Sequence, residues 1–193
     1  MKKIKSICVY CGSSLGNNPH YVESAYKLGT LLAKADIQLV YGGGSNGIMG
    51  VVSKAVRENG GKVIGIIPQF LINIETSQDK LNDVDELIIT DNMHQRKHLM
   101  FERSDAFIAL PGGIGTLEEI VEMMTWAQLG RHKKPMAFAN VDNFWAPITK
   151  LIDHMQKEGF IHTPEKINPL MVMDITIILE CLNREAIRLN ALS

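Results

Sequence analysis

Hydrophobic positions along this chain fall into two alternating kinds of block. Short, almost wholly apolar runs occupy 5–11, 38–41, 62–67, 86–89, 106–110 and 135–139. Between them lie longer stretches in which apolar residues recur every three or four positions, as on one face of a helix. The first of these has Val22, Ala25, Tyr26, Gly29, Leu32 and Ala33 on one side. Asn18 is placed to cap it, with Pro19 at the first helical position. Further helices are predicted at about 48–59, 93–104, 116–129, 144–158 and 175–192. The stretch 69–85 has neither period and is expected to be loop.

Runs apolar on both faces, most of them followed by a helix, are the pattern of a parallel sheet covered on both sides. The predicted fold is therefore α/β: a Rossmann-like, doubly wound parallel sheet flanked by helices, in a single domain spanning 1–193. In such sheets ligands bind beyond the carboxyl ends of the strands. Two strands run into glycine-rich turns there, at 42–50 and 111–115, and both turns should face one cleft.

Composition narrows the partners. Of 193 residues, 46% are hydrophobic and 21% charged, with a net charge of −1, so no broad nucleic-acid footprint is expected. No apolar run reaches the roughly 20 residues of a membrane helix. Lys2, Lys3 and Lys5 resemble the start of a signal peptide, but the apolar run after them stops at Cys11 and is too short. Cys8 and Cys11 form a C-x-x-C pattern inside a predicted strand, where residues three apart face opposite ways. They suit small core residues better than a redox pair, and the cytoplasm is the expected compartment.

The run 106–110 leads into Pro111-Gly112-Gly113-Ile114-Gly115-Thr116-Leu117-Glu118-Glu119. A glycine turn opening a helix gathers backbone N–H groups at the positive end of the helix dipole, which favours phosphate. A plainer role is available, because Thr116-x-x-Glu119 also matches a capping box, and Glu118 suits a first-turn surface acid. The Gly42-x-Gly44-x-x-Gly47 turn matches the dinucleotide fingerprint only formally: Ile66 and Ile67 stand about twenty residues on, where a ribose-binding acid belongs. Gly43 and Gly44 remain candidates for contact with a nucleotide phosphate or sugar. In 92–98, Asn92 and Gln95 suggest a capping box. Arg96 and Lys97 follow in or just past the first turn, where cations oppose the dipole unless an anion is present; a solvated basic face is the bland alternative. His94 and His98 have zinc-like spacing, but no third ligand suggests itself and no metal is expected.

Gly42-Gly43-Gly44-x-x-Gly47-x-Met49-Gly50, Met93-His94-Gln95-Arg96-Lys97 and Pro111-Gly112-Gly113-x-Gly115-Thr116-x-x-Glu119, taken together and in this order, closely resemble the Lonely Guy family over roughly 5–180. These are cytokinin riboside 5′-monophosphate phosphoribohydrolases, often mislabelled lysine decarboxylases, and bacterial members commonly resemble AMP nucleosidases. The resemblance implies a Rossmann-like homodimer with a site near the interface. It also implies hydrolysis of the N-glycosidic bond of a nucleoside 5′-monophosphate to free base and ribose 5-phosphate, without a cofactor. It places the catalytic pair at Arg96 and Glu119. Substrate contacts would come from Lys97, from Gly112, Gly113, Ile114, Gly115, Thr116, Leu117 and Glu118, from Thr125, and from the motif residues Met93, Gly43 and Gly44. The family's additional acidic contact falls in 74–78, where Glu75 is a candidate. A decarboxylase would need a Schiff-base lysine and a partner for the pyridoxal ring nitrogen, and no lysine sits in such a motif. A nucleotide- or molybdenum-cofactor-binding protein without turnover is the alternative; it would have no use for Arg96 paired with Glu119.

Overall fold

The computed structural model describes residues 3–75, 84–161 and 169–191. Within them seven strands form one parallel sheet: β1 Ser6–Tyr10, β2 Gln38–Tyr41, β3 Val63–Pro68, β4 Glu86–Thr90, β5 Ala106–Ala109, β6 Met136–Ala139 and β7 Leu170–Val172. Their order is β4-β3-β2-β1-β5-β6-β7. The chain builds outward from β1 to β4, then returns to pair β5 with the free side of β1. That junction is the switch point at which open α/β sheets leave a crevice.

Alternation within the strands sorts the core into two layers. Ile7 and Val9 of β1 face one cluster with residues of α1 (Pro19–Lys34), α2 (Gly47–Glu58) and the final helix, Ile178–Ala191. Cys8 and Tyr10 face the other, with Met100, Ile120, Met123 and Trp145. The elements on that side are α4 (Met93–Glu102), α5 (Ile114–Gln128) and α6 (Ala146–Lys157), and the final helix is α7. Cys8 and Cys11 accordingly lie in different layers, and burial pushes both thiols well above their ordinary values.

Asn18 caps α1 through a 3.0 Å bond from the His20 N–H, with Pro19 at the helix start, as the sequence predicts. Away from the cavity described below, the structure departs from expectation in four places. The expected loop at 69–85 begins as a turn of 3-10 helix, Gln69–Leu71, and a short α3, Ile72–Glu75; residues 76–83 lie outside those described. β7 has no counterpart in the pattern, because three residues are too few to show a period. α6 starts at Ala146 rather than 144, after a tight turn in which Asp142 and Asn143 are left-handed, with φ of 48° and 62°. The terminal helix is preceded by a 3-10 turn, Ile175–Ile177, that Asp174 caps through the Thr176 N–H; the predicted end at Leu192 lies outside the described residues. No helix among the described residues is long and apolar enough to cross a membrane.

Candidate active site

A cavity of about 300 Å3 opens at the carboxyl ends of β1, β2 and β5. Gly42 lines it from β2, and Gly113 and Gly115 line it from the β5–α5 turn. The two glycine turns meet in one cleft, as expected.

Asn92 starts α4 by accepting a 3.0 Å bond from the Gln95 N–H. The Gln95 side chain returns to the N–H of Asp91, one residue before the one a capping box would use. Four residues into the helix, Arg96 turns inward and is only 5% exposed, which removes the bland alternative of a solvated basic face. Its Nη2 stands 3.5 Å from Glu119 Oε1 and its Nη1 3.8 Å from Glu75 Oε2. Met93 Sδ lies 3.9 Å from Nη1. Gly42 is glycine for a steric reason: a Cβ there would come within 2.1 Å of Arg96 Nη2. Arg96 Nε and Glu75 Oε2 are buried without a hydrogen-bond partner, which is costly for charged groups unless a ligand satisfies them.

The predicted capping box at Thr116 and Glu119 does not form. Gly113 is extended and starts the helix two residues earlier, with no side-chain cap. Thr116 therefore lies inside the first turn, buried against Gly112, where a Cβ would meet its Oγ1 at 2.1 Å. Glu119 falls in the second turn, 7% exposed. The first N–H groups of a helix have no intrahelical partners, and here Gly113, Ile114, Gly115 and Thr116 border the cavity. Burial raises the Glu119 carboxyl from 4.5 to about 7, against the opposing pull of Arg96. Glu75 is also raised by burial and lowered by Arg96.

The sequence-predicted residues divide by position. Arg96, Glu119, Met93, Gly113, Ile114, Gly115, Thr116 and Glu118 line this cavity. Gly43 and Gly44 stand behind it, packed toward Ile67 and Met49, and Leu117 packs on the α4–α5–α6 layer. Gly112 borders a neighbouring cavity. Lys97 faces α5, with its Nζ 2.6 Å from Glu118 Oε1 and 3.2 Å from Glu122 Oε1. Thr125 is on the outer face of α5, its hydroxyl donating to Val121 O. His94 and His98 are exposed. Tyr10, Cys11, Gly12 and Ser13 also line the cavity and were not anticipated; their place at the end of the central strand was the available signal.

A family model described as possible lysine decarboxylase matches residues 49–176. A cytokinin riboside 5′-monophosphate phosphoribohydrolase of Arabidopsis thaliana is 50% identical over 82% of this chain and 73% of its own length. One from Oryza sativa subsp. japonica is 49% identical over 82% of this chain and 64% of its own. Among solved structures, the molybdenum cofactor binding protein of Rippkaea orientalis superposes with a TM-score of 0.67 at 23% identity, over 95% of this chain and 98% of that one. The molybdenum cofactor carrier protein of Chlamydomonas reinhardtii gives 0.69 at 20% identity, over 95% and 98%. At those identities the structures speak to the fold alone. The motifs, the match over most of the chain and the half-identical relatives agree: this chain belongs to the Lonely Guy family of phosphoribohydrolases, the family whose model carries the decarboxylase description.

Proposed function

We propose that the protein hydrolyses the N-glycosidic bond of a purine nucleoside 5′-monophosphate, of the adenosine or cytokinin type, releasing free base and ribose 5-phosphate. The observation that carries this is the buried Arg96–Glu119 pair in the same cavity as an uncapped helix N-terminus. The N–H groups at the start of α5 hold the 5′-phosphate, and that remote contact positions the sugar. As the bond from C1′ to the base stretches, positive charge grows on the ribose ring. The Glu119 carboxylate stabilises it and takes a proton from the attacking water, as carboxylates do in glycoside hydrolysis. The new bond is water oxygen to C1′; the bond to the base nitrogen breaks, and the base leaves with a proton. Arg96 orients Glu119, and Glu75 offers an acceptor to the base or sugar. A pyridoxal decarboxylase would need a Schiff-base lysine, and no lysine is among the described residues lining the cavity.

The outer face of α5 carries Ile114, Val121 and Leu129, 82%, 38% and 72% exposed, with Thr125 between them. A second copy packed there makes the homodimer and sets Thr125 beside the mouth of a site. Three cysteines unpaired with one another fit the reducing cytoplasm.

A product assay tests the function. Protein is mixed with AMP or N6-isopentenyl-AMP and free base is followed by chromatography. Wild type is expected to release base, and Arg96→Ala and Glu119→Gln to lose at least about 100-fold in rate while Glu119→Gln still binds nucleotide. Near-normal turnover by Glu119→Gln would remove the carboxylate from the mechanism.

A further inference from the structure

A second cavity, of about 220 Å3, lies on the far side of the β5–α5 turn. It shares Gly12, Ser13 and Gly113 with the first, so the two adjoin at the start of α5. Its walls include Leu15, Tyr21 and Phe144, and no charged side chain among the described residues lines it. A charged group would be poorly solvated there, whereas a flat apolar group would be well received. Tyr21 and Phe144 already make an edge-to-face pair with centroids 5.4 Å apart, and such rings favour a further aromatic partner.

That wall is held in place from outside. The Asp142 carboxylate accepts 2.6 Å from Asn18 Nδ2 and lies 2.7 Å from His20 Nδ1. The turn before Phe144 is thereby tied to the start of the helix that carries Tyr21. The neighbouring phosphate cradle offers backbone N–H groups. The cation lining the first cavity among the described residues is Arg96, which already stands between Glu75 and Glu119. Among the described residues no second cation lines the cavity to select the second negative charge of a phosphate monoester.

We propose that the second cavity receives an uncharged ring esterified to the 5′-phosphate, so that nucleoside 5′-phosphodiesters are substrates alongside monoesters. This rests on the function proposed above. The glycosidic step is unchanged: water adds to C1′, the base departs with a proton, and the phosphate ester bond stays intact.

The probes are AMP, adenosine 5′-methyl phosphate and adenosine 5′-phenyl phosphate, with adenine release followed for wild type, Phe144→Leu and Leu15→Trp. Leu15 is half-exposed, so the larger ring fills the cavity without disturbing the core. The phenyl ester is expected to have a KM about fivefold below the methyl ester's, and each variant to erase that advantage while changing the KM for AMP by less than about twofold. Equal KM values for the two esters, or variants that shift AMP as much as the phenyl ester, overturn the proposal. Should AMP itself not be hydrolysed, the function falls and calorimetric binding decides the cavity. Tighter binding of the phenyl ester, lost in Leu15→Trp, supports it; equal binding of both esters overturns it.

Discussion

Placing a carboxyl in the second turn of α5 with a guanidinium 3.5 Å away would ordinarily keep it ionised, yet at Glu119 burial outweighs the cation and raises the group to about 7. The folded protein therefore holds a proton that the unfolded chain, with its carboxyl near 4.5, has given up. Between these values stability must fall as pH rises, because the folded state binds more protons. Glu119→Gln removes that penalty. The variant should be more stable than wild type at pH 8 by on the order of 3 kcal/mol and nearly equal to it at pH 4.5; urea melts at the two pH values check this. In the wild type, turnover should rise with pH through about 7 as the carboxylate forms, and a flat profile from 5.5 to 8.5 would argue against its role as base.

Elements, rather than residues, decide which side chains reach the cavity. Arg96 and Lys97 are adjacent in sequence, but a helix turns about 100° per residue, so one enters the cavity while the other ties α4 to α5 through Glu118 and Glu122. Sequence motifs name both and cannot distinguish their faces. The start of α5 differs from the sequence pattern for a related reason. Thr116 and Glu119 satisfy a capping pattern, but the extended Gly113 begins the helix first. Glu75 is a candidate only through the resemblance, which places an acidic contact somewhere in 74–78; its four-residue helix carries no period of its own that would single it out. Gly42, by contrast, has a legible reason once Arg96 is placed. Gly42→Ala puts a methyl where the guanidinium lies. The side chain can swing away, so melting temperature should change little while kcat/KM falls about 100-fold, the usual effect of a displacement near 1 Å. Steady-state kinetics beside a thermal melt separates these effects, and unchanged kinetics would show that the position of Arg96 is unimportant.

For the whole molecule, the α/β class, the parallel sheet and the meeting of the two glycine turns were legible because each long element carries its own period and each apolar run its own turn. Pairing order and the outermost strand were not, since β7 is set by neighbours distant in sequence. The exposed row on α5 leads to a solution measurement. Light scattering should give twice the 21.5 kDa chain mass, and Val121→Glu combined with Leu129→Glu should give a monomer. A wild-type monomer would mean that each site is complete in one chain.

The return of the chain to β1 has a consequence for how the protein is made. β1 ends at Tyr10, while the strand that covers its second edge begins at Ala106. At a synthesis rate of about 5–20 residues per second, that edge waits on the order of 5–20 seconds for its partner. An unpaired parallel edge is a template for misassociation, so the seam beneath the cavity is also the place where a nascent chain is most exposed to chaperones and to its own copies.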